Sequence, residues 1–141
     1  MDIKHNLGEL QRYLEKVRDD SFFNEADGNE IGERLHDLVM AGFDRSEDPY
    51  GRAWPGISHR EGKPLLDTFN MVSSIDYDVT RRSNGLQVSI GTDVEYAPVH
   101  NIGLGHVRQR MFIPTNSNKL PASYNNVIIN VITKKLERAI Q

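Results

Sequence analysis

The chain has 141 residues, with 17 Lys and Arg against 20 Asp and Glu, and no cysteine. That is the length of one domain, long enough to bury a core without metals or disulfides; the absence of thiols excludes disulfide scaffolds, thiolate zinc sites, cysteine nucleophiles and iron–sulfur clusters. Hydrophobic residues make up 38% of the chain, and no apolar run reaches the roughly 18 residues that span a bilayer, so no membrane role is expected.

In chain order, the opening MDIKHNLGEL lacks the basic start and apolar block of a secretory signal, so a protein that is not exported is expected. Ile3, Leu7, Leu10, Leu14 and Val17 put one apolar stripe on a helix over about 2–19. Asn29 reads as the N-cap of a second helix, with Glu30 and Glu33 in its first turn. Ile31, Leu35, Leu38 and Val39 give its apolar face, and it ends near 42–45. Residues 46–63, SEDPYGRAWPGISHREGK, carry two prolines, three glycines and the single Trp without periodicity. They predict a long loop of the kind that carries function, with Tyr50 and Trp54 as its aromatic contacts. Pro64 opens a third helix with Leu65, Leu66, Phe69, Val72 and Ile75 inward.

Strict alternation follows. Tyr77 and Val79 alternate with Asp76, Asp78 and Thr80; Leu86, Val88 and Ile90 alternate with Gln87 and Ser89. Asn84-Gly85 between them marks a tight hairpin turn. Residues 95–100 predict a short helical turn broken by Pro98, 101–105 a glycine-marked turn, and 110–114 a third strand ended by Pro114. A final helix runs from about Pro121 to Ala139, with Tyr124, Val127, Ile128, Val131, Leu136 and Ile140 on its apolar face. The fold class is α+β: a small antiparallel sheet, the hairpin at about 76–91, packed with amphipathic helices in one domain over 1–141.

Charge is distributed unevenly. Residues 1–50 hold 13 acidic and 6 basic side chains, and residues 51–141 hold 7 and 11. The two halves can pair within one chain or between neighbouring copies, as head-to-tail contacts in a ring do.

Motifs for chemistry are largely missing. His100 and His106 lie six apart without the HExxH pattern of zinc peptidases. Asp76 and Asp78 share one face of a strand, more in the manner of a solvated surface than of a cation site. The GLGH stretch at 103–106 lacks the phosphate-loop pattern. No enzyme is expected, and no cofactor or metal.

Four blocks carry a resemblance: DPYGRAWPGI (48–57), KPLLDTFNMVSSI (63–75), VSIGTDVEYAPVHNIG (88–103) and RMFIP (110–114). Together they resemble the phage virion morphogenesis family, which includes the G protein of Mu-like phages and the tail completion protein S of related phages. The GT-x3-YA-x2-H-x2-G block is the most specific. Phe69 stands where the family commonly has Gly, Asn101 where it has Gln, and the order of Arg and Pro in the last block differs. The resemblance implies a non-enzymatic subunit of tail completion or head–tail joining, a neck or tail-terminator protein. Its implied partners are other copies of itself, in a possible sixfold ring, the tail tube or terminator, and the head–neck proteins. It would work in the bacterial host cytoplasm during assembly and then in the virion.

Candidate interface residues are Tyr50, Trp54, Arg81, Arg82, Arg108 and Arg110. Trp54 is open to two readings, an anchor at a subunit contact or a plug in its own core. Gly91, Tyr96, Ala97, His100 and Gly103 are expected to be structural: Tyr96, Ala97 and His100 holding the hairpin against the third helix, the glycines sitting where a side chain would clash. A different class, a small nucleic-acid-associated factor, would use Arg81, Arg82, Arg108 and Arg110; the pI near 5.9 argues against nucleic acid as a partner. A third, a metal-dependent hydrolase, would use His100, His106, Asp76 and Asp78.

Overall fold

A computed structural model describes residues 22–56, 69–83, 85–115 and 119–140. The helix expected over 2–19, the Pro64 helix start with Leu65 and Leu66, residues 57–63 of the long loop and Asn84 of the turn lie outside them.

The described residues form, in order, α1 (Glu25–Arg45), α2 (Phe69–Ser74), β1 (Asp76–Arg82), β2 (Gly85–Gly91), α3 (Ala97–Ile102) and α4 (Ala122–Ala139). The class is α+β, as expected. Helix α1 starts earlier than expected. Its N-cap is Asn24, not Asn29, and a capping box fixes the start: Asp27 N–H donates to Asn24 Oδ1 at 3.1 Å, and Asn24 N–H donates to Asp27 Oδ2 at 2.9 Å. At the other end Ser46 takes a left-handed conformation, φ 56°, and its N–H closes on Gly42 and Phe43 carbonyls.

The buried stripe of α1 is Gly28, Gly32, Leu35, Val39 and Phe43, at steps of three and four. Its two glycines seat the helix on the hairpin. A Cβ on Gly28 would stand 2.6 Å from Val79 Cγ1, and one on Gly32 2.2 Å from Tyr77 Cδ2. The helix backbone therefore lies directly against side chains of β1.

Strands β1 and β2 pair antiparallel in the register Asp76↔Gly91 through Val79↔Val88 to Arg82↔Gly85. Alternation puts Tyr77, Val79, Leu86, Val88 and Ile90 on the face toward α1, and Asp76, Asp78, Thr80, Gln87 and Ser89 on the outer face. The hairpin is the only sheet among the described residues.

Two local expectations are corrected. Pro98 does not break α3; it sits in the first turn, where its missing N–H costs nothing. Residues 110–114 form no strand: Arg110 N–H donates to His100 O, Met111 O accepts from the Trp54 indole, and Asn101 takes main-chain groups of Phe112 and Ile113, as described below.

Helix α4 follows Pro121 and packs on α1 through Tyr124, Val127 and Val131. Ile128 and Leu136 are only half-buried, and Ile140, expected inward, is 61% exposed. The core gathers Leu35, Val39 and Phe43 of α1, Trp54, Met71, Ile75, Ala97, Phe112, Tyr124 and Val127. Phe43, 2% exposed, sits at its centre between Trp54 and Phe112, with ring centroids at 5.5 and 5.2 Å. Burying such a ring contributes about 1.5–3 kcal/mol.

Candidate assembly surface

The segment from Ser46 to Gly56 is a folded loop. Asp48 organises it: its Oδ1 accepts the N–H groups of Tyr50 at 2.8 Å and Arg52 at 2.9 Å, while Asp48 N–H donates to Arg52 O at 2.8 Å. Gly51, at φ +87°, supplies the turn. A bridge between Glu47 and Ala53 and a bond from Trp54 N–H to Ser46 O close its neck. Tyr50 reaches from the tip to donate its hydroxyl to the Lys119 carbonyl, and the Arg52 guanidinium lies 5.9 Å from its ring centroid.

Trp54 lies in its own subunit's core. It is 7% exposed, meets Phe43 edge-on, and donates its indole N–H to Met111 O at 2.8 Å. This is the plug of the two readings, and what the loop presents outward is Tyr50 and Arg52.

The four arginines do not converge. Arg81 pairs with Glu25 at 3.1 Å and donates to Phe23 O. Arg110 is spent on the loop, its Nε on Pro55 O and its Nη2 on Gly56 O, both at 2.8 Å. Arg82 is exposed and donates to Gln87 Oε1 at 3.0 Å; Arg108 is exposed. Glu25, held by its own backbone N–H and then by Arg81, has its carboxyl pKa lowered.

The charged halves meet inside the chain. Besides Glu25–Arg81, Asp27 of α1 pairs with Lys135 of α4 at 3.1 Å and Glu30 with Lys134 at 3.3 Å. Of these, Asp27–Lys135 is the most shielded and Glu25–Arg81 the most exposed, so the set steers α4 and β1 onto α1 more than it stabilises them there.

In the YA-x2-H block only Ala97 enters the core, at 2% exposure. Tyr96 is 39% exposed and meets His100 edge-on at 6.1 Å. Ser74 at the end of α2 instead ties to Thr92 after β2 through their hydroxyls. Gly103 is required as expected: φ is +80°, and a Cβ would stand 2.8–2.9 Å from Gln109. Gly91 is not crowded; a Cβ there would meet nothing within 4 Å. His106 is exposed, as are Asp76 and Asp78. Among the described residues no three His, Asp or Glu side chains come together where they would hold a metal.

The organising residue that the motifs did not single out for this role is Asn101. Its Oδ1 accepts Phe112 N–H at 2.8 Å and Ile113 N–H at 3.0 Å, and its Nδ2 donates to Ile113 O at 3.0 Å. One amide thus does what a neighbouring strand would do for residues 112–113. Beyond it, Ile102 and Leu104 at the C-terminal end of α3 are each 50% exposed, an apolar ridge. The loop tip, Ile102 and Leu104 and the outer face of the hairpin are exposed among the described residues.

The profile of the phage virion morphogenesis family matches residues 5–125. Among characterised proteins, Mu-like prophage FluMu G protein 2 of Haemophilus influenzae is 27% identical over 99 residues, covering 70% of this chain and 67% of that protein. No solved structure gives a significant match.

Proposed function

The chain belongs to the phage virion morphogenesis family, and on that premise we propose that it is a non-enzymatic subunit of tail completion or head–tail joining, acting as a member of a ring at the head-proximal end of the tail. That it serves phage assembly follows from the family; the place and the ring are the proposal. The observation that carries it is the match over residues 5–125, which spans the loop, the hairpin, α3 and the start of α4. The surfaces suit contact work: a braced loop with Tyr50 and Arg52 outward, an apolar ridge at Ile102 and Leu104, and hairpin edges that pair with no further strand among the described residues. Sixfold multiplicity would match the symmetry of a contractile tail tube. The partners would be the tail tube or terminator on one side and the head–neck proteins on the other.

Complementation tests this. A lysate from a prophage lacking this chain is expected to hold filled heads and separate, unfinished tails, and added purified protein to restore joined, infectious particles. Normal joined particles without the chain, or a block before heads or tails form, would refute the placement.

A further inference from the structure

The two edges of the hairpin are not alike. Strand β1, Asp-Tyr-Asp-Val-Thr-Arg-Arg, carries four charges, the usual guard against edge pairing. Strand β2, Gly-Leu-Gln-Val-Ser-Ile-Gly, carries none, and no proline or bulge interrupts its seven paired residues. Tyr77 N–H donates to the Asp76 carboxylate at 2.8 Å instead of across the ladder, so Tyr77↔Ile90 exchanges no ladder bonds. Bonded and unbonded pairs alternate in an antiparallel ladder. The same therefore holds for Val79↔Val88 and Arg81↔Leu86, and the N–H and C=O groups of Leu86, Val88 and Ile90 point away from β1. Outside the hairpin's own ladder, none of these groups has a hydrogen-bond partner among the described residues. The three side chains, on the face toward α1, are only half-buried.

Strand β2 also reads nearly the same in both directions about Val88. We propose that the unassembled protein is a two-fold dimer in which β2 pairs antiparallel with β2 of a second copy, centred on Val88. In that register Val88 faces the partner's Val88, Leu86 faces the partner's Ile90, Gln87 faces the partner's Ser89, and glycine faces glycine at both ends. Every outward main-chain group finds a mate, because the centre falls on a residue whose groups point outward. The apolar trio meets its own copy beside the two α1 helices, and the polar pairs stay on the wet outer face. Only Val88 faces its own copy, but charges of one sign along the strand would face one another across the two-fold and repel; an uncharged strand avoids that. Strand β1 is the weaker candidate, since its Tyr77 N–H is already engaged and Arg81 is drawn to Glu25. An isologous contact does not propagate round a ring whose two faces meet different partners. The pairing therefore belongs to the free protein, covering the edge until assembly, and it stands independently of the proposed function.

The test is solution mass by light scattering after size exclusion, over a range of protein concentrations, on the full chain and two double variants. The wild type is expected at twice its 16.1 kDa, dissociating with a Kd on the order of micromolar, as suits a small interface. Gln87→Lys with Ser89→Lys sets ammonium against ammonium twice across the two-fold and is expected to weaken the dimer at least tenfold. Gln87→Glu with Ser89→Lys sets carboxylate against ammonium and is expected to pair as tightly as wild type or more so. Both positions are exposed, and Trp54 fluorescence checks that each variant is folded. A wild type monomeric at all concentrations, an oligomer indifferent to the lysine pair, or equal weakening by both variants would overturn the proposal.

Discussion

Replacing Asn101 by alanine tests how the region after α3 is held without a strand. The side chain makes three hydrogen bonds to the main chain of Phe112 and Ile113, at 2.8, 3.0 and 3.0 Å. Phe112 is 3% exposed and stacks on Phe43, so its N–H cannot readily turn to water once Asn101 is gone. A buried group stripped of its partner costs about 1–3 kcal/mol, and the half-exposed Ile113 groups less, which sums to about 2–4 kcal/mol. Asn101→Asp keeps the two acceptor bonds but turns a carboxylate oxygen toward the Ile113 carbonyl, and about 1–2 kcal/mol of loss is expected. Urea unfolding followed by Trp54 fluorescence is the assay. Trp54 is the chain's single tryptophan and is bonded to Met111 O beside the perturbed segment. An alanine variant within about 0.5 kcal/mol of wild type, the range of an ordinary surface substitution, would refute the clasp.

Gly32→Ala gains about 1 kcal/mol of helix propensity but drives a methyl to within 2.2 Å of the Tyr77 ring, so a net loss of about 1–2 kcal/mol by denaturant unfolding is expected; a gain would mean that α1 does not rest on β1. Tyr124 buries a hydroxyl with no hydrogen-bond partner among the described residues, and burial raises its pKa. Tyr124→Phe is therefore expected to be neutral or stabilising by about 1 kcal/mol, and a clear loss in thermal unfolding would show an unseen partner. Glu25 is held as its carboxylate, so its contribution is present above the usual carboxylate range and is lost as pH falls through its lowered pKa. Arg81→Ala should raise that midpoint in a carboxyl NMR titration without fully restoring the ordinary value, since the backbone N–H remains; an unmoved midpoint would dismiss Arg81 as a cause.

The parts of the fold legible in the sequence were those with a strong period. The alternation over 76–91 placed the hairpin to within a residue, and the spacing of Tyr124, Val127 and Val131 placed α4. Signals that need a partner to be interpreted were not legible. Gly28 and Gly32 carry no apolar signal in the sequence, yet β1 occupies the space their side chains would fill, and Asn29 resembles a cap although α1 is capped five residues earlier at Asn24. RMFIP has the composition of a strand, but the Asn101 amide takes main-chain groups of its Phe112 and Ile113, and His100 and Trp54 take one each on Arg110 and Met111. The charge asymmetry and its pairing within one chain were legible, whereas the elements it joins, α1 with β1 and α4, were not. Of the candidate interface residues, Trp54 and Arg110 serve the chain's own interior and loop, and Tyr50 braces the loop to residue 119. A sequence states which residue types are available, and only the fold decides which of them remain outward.

Electron cryomicroscopy of tails purified from a lysate lacking the chain, before and after addition of the purified protein, bears most directly on the proposed role. A sixfold ring appearing at the head-proximal end, with the added tails then competent to join filled heads, is the predicted result. Tails that bind none of the protein, or bind it only at the opposite end, would contradict it.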